Sequence, residues 1–307
     1  MKTTLSKVLA VTALLMFMGA AHAADKLKPY VLGSQGPGDL TTKVNQVKSA
    51  LTSNGFRIVG SFSPFKDAEV IVVTNNTLLA DAAKSERGGY AAVMRVAVTK
   101  VGDQIQVAYQ NPVYFQYALH VKGDLKPVAA ALGKALGDQE TFGAKGETPD
   151  DLEDYHYTFG MEYFEDVYRL ASYSSHAKAV AAVEKGMAAH AGGAYKVFKL
   201  DIPGTNDTLF GVMLKQGPKG DKYADLGFQM GVVNFNKLKG NAYLPYPVLV
   251  RGGKVESLHM RFWMAVNFPD LKMIGSNSFM TLMPSPDAMK NALTKMAGGT
   301  VENNATF

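Results

Sequence analysis

Apolar and polar residues follow one order along the chain, and that order occurs twice. The first half opens with a short apolar run at residues 30–32. A helical stripe follows, at Leu40, Val44, Val47 and Leu51. Strand-like runs come next, at residues 56–62, 70–74, 91–99 and 104–110, and a last stripe at 125–136 predicts a second helix. The pattern predicts a strand, a helix, four strands and a helix.

Turn and cap residues stand at the ends of these predicted elements. Asp39 lies where the first N–H groups of a helix need an acceptor, and Asn54-Gly55 lies where a left-handed residue ends one. Gly102-Asp103 separates two strand-like runs and predicts a hairpin. The predicted element order of the first half therefore rests both on the spacing of apolar residues and on the turn and cap residues.

The second half repeats this order. A strand at residues 168–171 precedes a helical stripe at residues 180–187, which Ser174 or Ser175 caps and Gly192-Gly193 ends. The predicted strands cover residues 195–201, 209–214, 226–234, 247–251 and 255–266. Gly252-Gly253 predicts the matching hairpin, and Pro286-Asp287 opens a final helix.

Long strand runs with few helices predict an α+β fold with antiparallel sheets and helices on one face, not a doubly wound parallel sheet. We predict two similar domains, at residues 24–145 and 167–300, each a β-α-β4-α unit. Residues 146–166 connect them, and residues 301–307 form a tail. Duplication further predicts that each half forms its own core. One large α+β domain with halves alike by chance is the alternative.

Residues 1–23 have the pattern of a secretory signal peptide. Lys2 and Lys7 precede an apolar run from Val8 to Gly19, which is too short for the ~20 residues of a membrane span. Ala21-His22-Ala23 fits the cleavage pattern, so Ala24 is the predicted mature start. We expect a periplasmic protein with no membrane span after cleavage; an uncleaved anchor is the alternative.

The composition excludes several kinds of functional site. The chain has no cysteine, which excludes disulfides, thiol nucleophiles and thiolate metal sites. Without Lys2 and Lys7, 30 basic residues face 27 acidic ones, a net charge of +3. No polybasic run is present, so nucleic acid is not an expected partner. No cofactor motif is evident, and the cofactor and oligomeric state stay open.

Several stretches resemble the bacterial family known as domain of unknown function 302. They are the helix end at residues 51–56, the strand at 70–76 and the hairpin at 91–112. Leu244-Pro245 before the strand at 247–250 is similar to the family's Leu-Pro, which the first half lacks. The resemblance implies that each half folds like the TATA-binding protein, as a curved sheet gripped by helices. It implies no activity.

The most unusual segment connects the two halves. Five aromatic residues lie from Tyr155 to Phe164, with carboxylates at the end of the segment. We predict a ligand site here, formed by Tyr155, His156, Tyr157, Phe159, Glu162, Tyr163 and, from the second half, Trp263. The aromatic rings would contact an apolar or aromatic ligand, and the imidazole and carboxylate would orient it. The alternative is that the aromatics pack between the sheets and the acids face solvent.

His156 and Glu162 are also a candidate metal pair. On a strand the two would lie about 20 Å apart, and on a helix they would face different directions. Joint chelation therefore requires a loop or a second contributor. The available histidines are His120, His176, His190 and His259.

Methionine is abundant, with 15 residues, five of them from Met260 to Met283. Thioethers suit copper(I), and Met280-x-x-Met283 has a suitable spacing. Residues 260–266, however, alternate as a core-facing strand does. We therefore expect these methionines to pack in the core, where methionine fills irregular spaces.

Three classes of function remain. The first is a non-catalytic periplasmic binding or accessory protein, with a small apolar or aromatic ligand or another periplasmic protein as partner. The second is a metal- or haem-binding redox accessory that uses His156 with Met161, Glu162 or another histidine. The third is an enzyme of unknown reaction, which is the weakest class because the chain has no nucleophile elbow and no phosphate loop.

Overall fold

The computed structural model describes residues 26–301. The predicted signal peptide at 1–23, its cleavage before Ala24 and most of the tail at 301–307 lie outside the described residues. Among the described residues, no helix is both long and apolar enough to cross a membrane.

The first half contains six strands and five helices within the described residues. The strands are β1 Tyr30–Pro37, β2 Arg57–Phe65, β3 Ala68–Thr74, β4 Met94–Val101, β5 Gln104–Gln110 and β6 Glu140–Phe142. The helices are α1 Leu40–Ser53, α2 Asn76–Lys84, α3 Pro112–Ala118, α4 Lys126–Leu136 and α5 Pro149–Glu153.

The second half contains five strands and four helices in the part that the structure describes. The strands are β7 Tyr168–Ser172, β8 Ala194–Asp201, β9 Asp207–Leu214, β10 Tyr246–Arg251 and β11 Lys254–Ser257. The helices are α6 His176–Ala188, α7 Leu226–Val233, α8 Met260–Asn267 and α9 Ser285–Ala297.

These elements form two antiparallel sheets, which confirms the α+β class. The strand order of the first sheet is β2-β3-β4-β5-β1-β6, and that of the second is β8-β9-β10-β11-β7 when it is written from β8. If β1 is matched with β7 and the other strands follow in chain order, the two sheets have the same order apart from β6. The helices also fall at corresponding places, α1 to α4 in the first half and α6 to α9 in the second.

The predicted N-caps and both hairpins are confirmed, but α6 ends at Ala188, before the predicted end at Gly192-Gly193. The Asp39 carboxylate accepts from the backbone N–H of Thr42 at 2.8 Å, and Ser175 caps α6. Strands β4 and β5 pair up to Val101 and Gln104 around Gly102, which has a φ of +60°. These local signals work because a cap or tight turn needs only its own few residues.

The predicted strand at 226–234 is wrong, because these residues contain the helix α7. The predicted strand at 255–266 is confirmed only for residues 255–257, which lie in β11, and is wrong from residue 260, where the helix α8 begins. Asp225 caps α7 by accepting from Phe228 N, and His259 caps α8 by accepting from Arg261 N. Both helices are buried on most sides, so apolar residues occupy nearly every position. A short apolar run of this kind has no helical period that would distinguish it from a strand.

Two short helices of the first half, α2 and α3, were not among the predicted elements. Each begins after an asparagine that accepts from a backbone N–H of the first turn, Asn75 for α2 and Asn111 for α3. Asparagine at this position is a strong N-cap signal. Helices of seven to nine residues are too short to display a clear apolar stripe.

The two halves share one main core rather than forming separate ones. Short 3-10 turns before β4 and β10, at Gly88–Ala91 and Asn241–Tyr243, pack across to the opposite half. A Cβ atom on Gly89 would lie 2.4 Å from Leu249 Cδ1, and Asn241 Nδ2 donates to Thr99 Oγ1 at 2.9 Å. The second face of the first sheet is thereby covered by the second half.

Helices α6 and α9 pack closely at Gly186. A Cβ atom added there would lie 1.8 Å from the backbone oxygen of Met296. Gly133 of α4 offers a matched contrast, since its added Cβ would meet Asp138 Cβ at 3.6 Å, an ordinary contact distance. Only one of these two helical glycines is required by packing.

We expect Gly186→Ala to destabilise the protein by about 1–3 kcal/mol, because the backbone of α9 must move away from the added methyl group. Gly133→Ala should leave stability unchanged or raise it by up to about 1 kcal/mol, because alanine favours a helix. Urea unfolding followed by circular dichroism measures both changes. Equal effects of the two substitutions would contradict the close packing of α6 on α9.

Candidate functional site

Within the segment that connects the halves, residues 154–166 follow α5, are irregular and are anchored on α8. Tyr155 is buried, and its hydroxyl donates to the backbone oxygen of Ala265 at 3.1 Å. The Tyr157 hydroxyl donates to the backbone oxygen of Leu271. These two predicted site residues therefore hold the segment in place.

Phe164 fixes the other end of the segment in the shared core. Its ring lies 6.4 Å from that of Tyr90, 6.0 Å from that of Phe262 and 4.9 Å from that of His120. The contacts come from both halves, so the segment is packed between them. The expectation that aromatics pack inside holds for Tyr155 and Phe164.

Phe159, in the middle of the segment, is 99% exposed, and Tyr163 is 37% exposed. The half-buried imidazole of His156 lies 4.5 Å from the Tyr163 ring. An apolar ring fully exposed between two anchored ends is available for contact with another molecule.

A cavity of about 450 Å³ lies between this segment and the chain that precedes α9. Its wall contains five methionines, an aromatic ring from each side, and one charge of each sign. These residues are Met161, Met260, Met273, Met280, Met283, Phe159, Phe279, Arg261 and Asp287. We call this cavity the methionine chamber.

The methionines of the second half divide into two groups. Met260 and Met264 are buried, as expected, but Met273, Met280 and Met283 are 44%, 49% and 65% exposed. The expectation of core packing is therefore wrong for the last three. All three lie in one loop, and backbone hydrogen bonds connect them. Met280 N donates to Met273 O at 3.0 Å, and Met283 N donates to Met280 O at 3.3 Å.

A second, more open cavity of about 830 Å³ adjoins the chamber. The two share Gly160, Met161 and Asp287 in their walls. Its other lining residues are mainly polar and include Glu162, Glu165, Asp166, Arg169, His259 and Lys290. We call it the polar cleft.

Glu162 lies between the two cavities and is held by residues at the start of α8. Arg261 Nη2 donates to Glu162 Oε1 at 2.6 Å, and His259 Nδ1 lies 3.4 Å from Glu162 Oε2. His259 Nδ1 already accepts from the backbone N–H of Arg261, so the ring is neutral with its proton on Nε2. The carboxylate is thus paired with a guanidinium and faces a neutral imidazole.

Burial changes the protonation of both groups. It raises the pKa of Glu162, although Arg261 opposes the rise. Burial, reinforced by the positive charge of Arg261, lowers the pKa of His259 to about 4. At neutral pH this arrangement offers one ion pair and an uncharged imidazole.

The two candidate metal ligands have different partners. Glu162 pairs with Arg261, whereas the His156 ring lies tilted against that of Tyr163 and has Asp154 O at 3.4 Å from Nδ1. Within residues 26–301, no group of three or more histidine, aspartate and glutamate side chains is arranged to hold a metal ion. These side chains suit hydrogen bonding better than chelation.

Trp263 lies away from both cavities, on the inner side of α8. It is fully buried, 5.9 Å from the ring of Phe115 and 6.0 Å from that of Tyr243. Trp263 lies outside the predicted ligand site because residue 263 is part of a helix and not of a strand. On a strand Trp263 would share a face with Arg261, but on α8 it points inward while Arg261 reaches Glu162.

The most informative residue that the sequence did not indicate is Arg261. Of the four histidines named as possible second contributors, His259 is the one that lies beside Glu162. The Met280-x-x-Met283 spacing was the one available signal for the methionines, since residues i and i+3 eclipse in a 3-10 turn. No local signal connects Glu162 to residues about one hundred positions further along the chain. Tertiary packing alone forms that pair.

Comparisons with protein-family models, curated proteins and solved structures found no match to this chain. The resemblance drawn from the sequence motifs therefore stays a prediction. The function has to be inferred from the cavities and the residues that line them.

We expect stability to fall as the pH drops from about 6.5 towards 4. The unfolded chain protonates His259 near pH 6.5, whereas the folded chain resists protonation down to about pH 4. The unfolded state then binds more protons, at a cost of at most about 1.4 kcal/mol per pH unit. Urea unfolding across this range measures the slope.

His259→Asn separates this effect from the titration of carboxylates. Asparagine preserves the cap of α8 but carries no titrating ring, so the slope between pH 6.5 and 4 should decrease. Glu162→Gln retains the ring and should keep the histidine contribution. Identical slopes in the wild type and His259→Asn would refute a neutral, buried His259.

Proposed function

We propose that this is an exported, non-catalytic binding protein whose methionine chamber takes a small apolar or aromatic molecule. One observation carries this conclusion. Of the eight large hydrophobic side chains described as exposed, four line the chamber: Phe159, Met273, Met280 and Met283. A concentration of exposed apolar groups around one cavity is typical of a binding site.

The dimensions and chemistry of the chamber support this function. A volume of about 450 Å³ lies within the range of about 300–1,000 Å³ for small-molecule sites. Methionine side chains are flexible and polarizable, so they adapt to ligands of different shapes. Covering them with an apolar ligand removes surface from water and contributes roughly 25 cal/mol per Å².

Arg261 and Asp287 give the chamber limited polar specificity. Arg261 is tied to Glu162, and its Nε atom is buried without a hydrogen-bond partner among the described residues. Asp287 lies in the walls of both the chamber and the polar cleft. These groups orient a polar end of the ligand, while the thioethers and Phe159 contact its apolar part.

We propose that the chain is a tandem duplication and that each of its two units folds like the TATA-binding protein. The resemblance to domain of unknown function 302 implies this fold. The equal strand order of the two sheets supports the duplication. The predicted signal peptide supports a periplasmic location. Under this proposal the ligand binds where the connecting segment meets the second unit.

A soft metal ion, copper(I) or silver(I), is the second candidate occupant. Met273, Met280 and Met283 lie in one loop whose backbone hydrogen bonds hold their positions together. Thioether sulfur is a ligand that copper(I) accepts. This candidate replaces the His156–Glu162 pair with the methionines as metal ligands.

The apolar probe N-phenyl-1-naphthylamine, which fluoresces in apolar surroundings, tests the first candidate. We expect saturable binding with one site per chain. Met280→Asp should raise the Kd about tenfold, equivalent to about 1.4 kcal/mol, because a carboxylate then lies in the apolar wall. Phe235→Asp is the matched control, since Phe235 is 54% exposed but does not line the chamber.

Equal loss of binding in both variants, or no saturable binding in the wild type, would overturn the apolar-ligand function. Native mass spectrometry of the same samples with added silver(I) tests the metal candidate. Uptake of one silver ion that Met280→Asp weakens and Phe235→Asp preserves would favour the soft-metal site instead.

A further inference from the structure

Arg95 is a fully charged side chain in the interior between the two halves. It lies on β4 and is 1% exposed. Neighbouring Met94 and Val96 face the main core, whereas Arg95 shares the opposite face with Ala97 and Thr99. That face is covered by the second half, through Asn241 and Ala242. The docking of the halves therefore removes Arg95 from water.

All partners that the structure gives to Arg95 are uncharged. Nε donates to the backbone oxygen of Pro245 at 3.3 Å, and Nη1 donates to Gln110 Oε1 at 3.2 Å. The guanidinium carbon lies 5.2 Å from the centre of the Trp263 ring. Nη2 has no hydrogen-bond partner among the described residues.

No carboxylate compensates this charge within residues 26–301. The two buried carboxylates are Asp81 and Glu256, and they pair with Lys84 and Arg87. Burial lowers the pKa of Arg95 to about 10, which still leaves the guanidinium protonated at neutral pH. A buried ion without a counter-charge is strongly disfavoured.

The other unpaired polar groups near Arg95 can all donate a hydrogen bond. They are Gln110 Nε2, Trp263 Nε1 and the hydroxyl of Tyr243. Gln110 is bonded to Arg95, Trp263 lies beside the guanidinium, and Tyr243 stacks on Trp263. All three residues are buried to 1% exposure or less. Arg95 thus has two neutral acceptors, Pro245 O and Gln110 Oε1, but no negative charge beside it.

We propose that a small monovalent anion of the chloride class binds beside Arg95, between the two halves. One anion accepts from Nη2 and from the unpaired donors, and it also neutralises the guanidinium. A water molecule would satisfy donors but would leave the positive charge uncompensated. This site does not depend on the methionine chamber, which lies on the other side of α8.

Crystals of the mature chain grown in sodium bromide test the site directly, because bromide replaces chloride and scatters anomalously. We expect an anomalous peak within hydrogen-bond distance of Arg95 Nη2. A water molecule at that position, or bromide found only on the surface, would overturn the proposal. This measurement uses the wild type and does not depend on the folding of any variant.

Thermal unfolding at constant ionic strength provides the second test. As gluconate is replaced by bromide, the Tm should rise, because an anion that binds only the folded state stabilises that state. The rise should become smaller once the site is saturated with bromide. Arg95→Met should lose this dependence, and Arg57→Met, at an exposed arginine, should keep it. Equal Tm values of the wild type in bromide and gluconate would overturn the anion site.

Discussion

The structure depends on how the buried C-terminal end of α8 satisfies its backbone. The last carbonyls of a helix have no partner within the helix, and burial denies them water. Here Tyr155 donates to Ala265 O, and Tyr114 of the first half donates to Val266 O at 2.8 Å. Tyr30, also of the first half, donates to the Asn267 side chain at 2.9 Å. These bonds join the first half, the connecting segment and the second half at one helix end.

The two sides of α8 then serve different purposes. The inner side places Trp263 against Tyr243 and beside Arg95, where the halves meet. The outer side presents Arg261 to Glu162 and forms part of the wall of the methionine chamber. Because one short helix carries both sets of contacts, the geometry of the chamber is tied to the packing between the halves.

Sequence patterns located the elements whose signals are local. The stripes of α1, α4 and α6, the N-caps of α1 and α6 and both hairpins follow from spacing, cap residues and glycine turns. Helices α7 and α8 were mistaken for strands because burial on most sides removes the polar face that reveals a helical period. That error also placed Trp263 beside the ligand segment, although its side chain turns into the core. The sequence indicated the importance of the connecting segment and offered His259 as one of four possible histidine partners, but it did not indicate Arg261.

Sequence patterns predicted most of the strands, the helices α1, α4, α6 and α9, the turns and the aromatic character of the connecting segment, because these depend on neighbouring residues. Which methionines stay exposed around a chamber, and which polar residues are buried, depends instead on the tertiary structure. Arg95 shows the reason: its strand pattern predicts two faces, but the solvent on the second face is excluded only when residues about 150 positions away dock there. Burial of this kind is a property of long-range packing, which no local pattern contains.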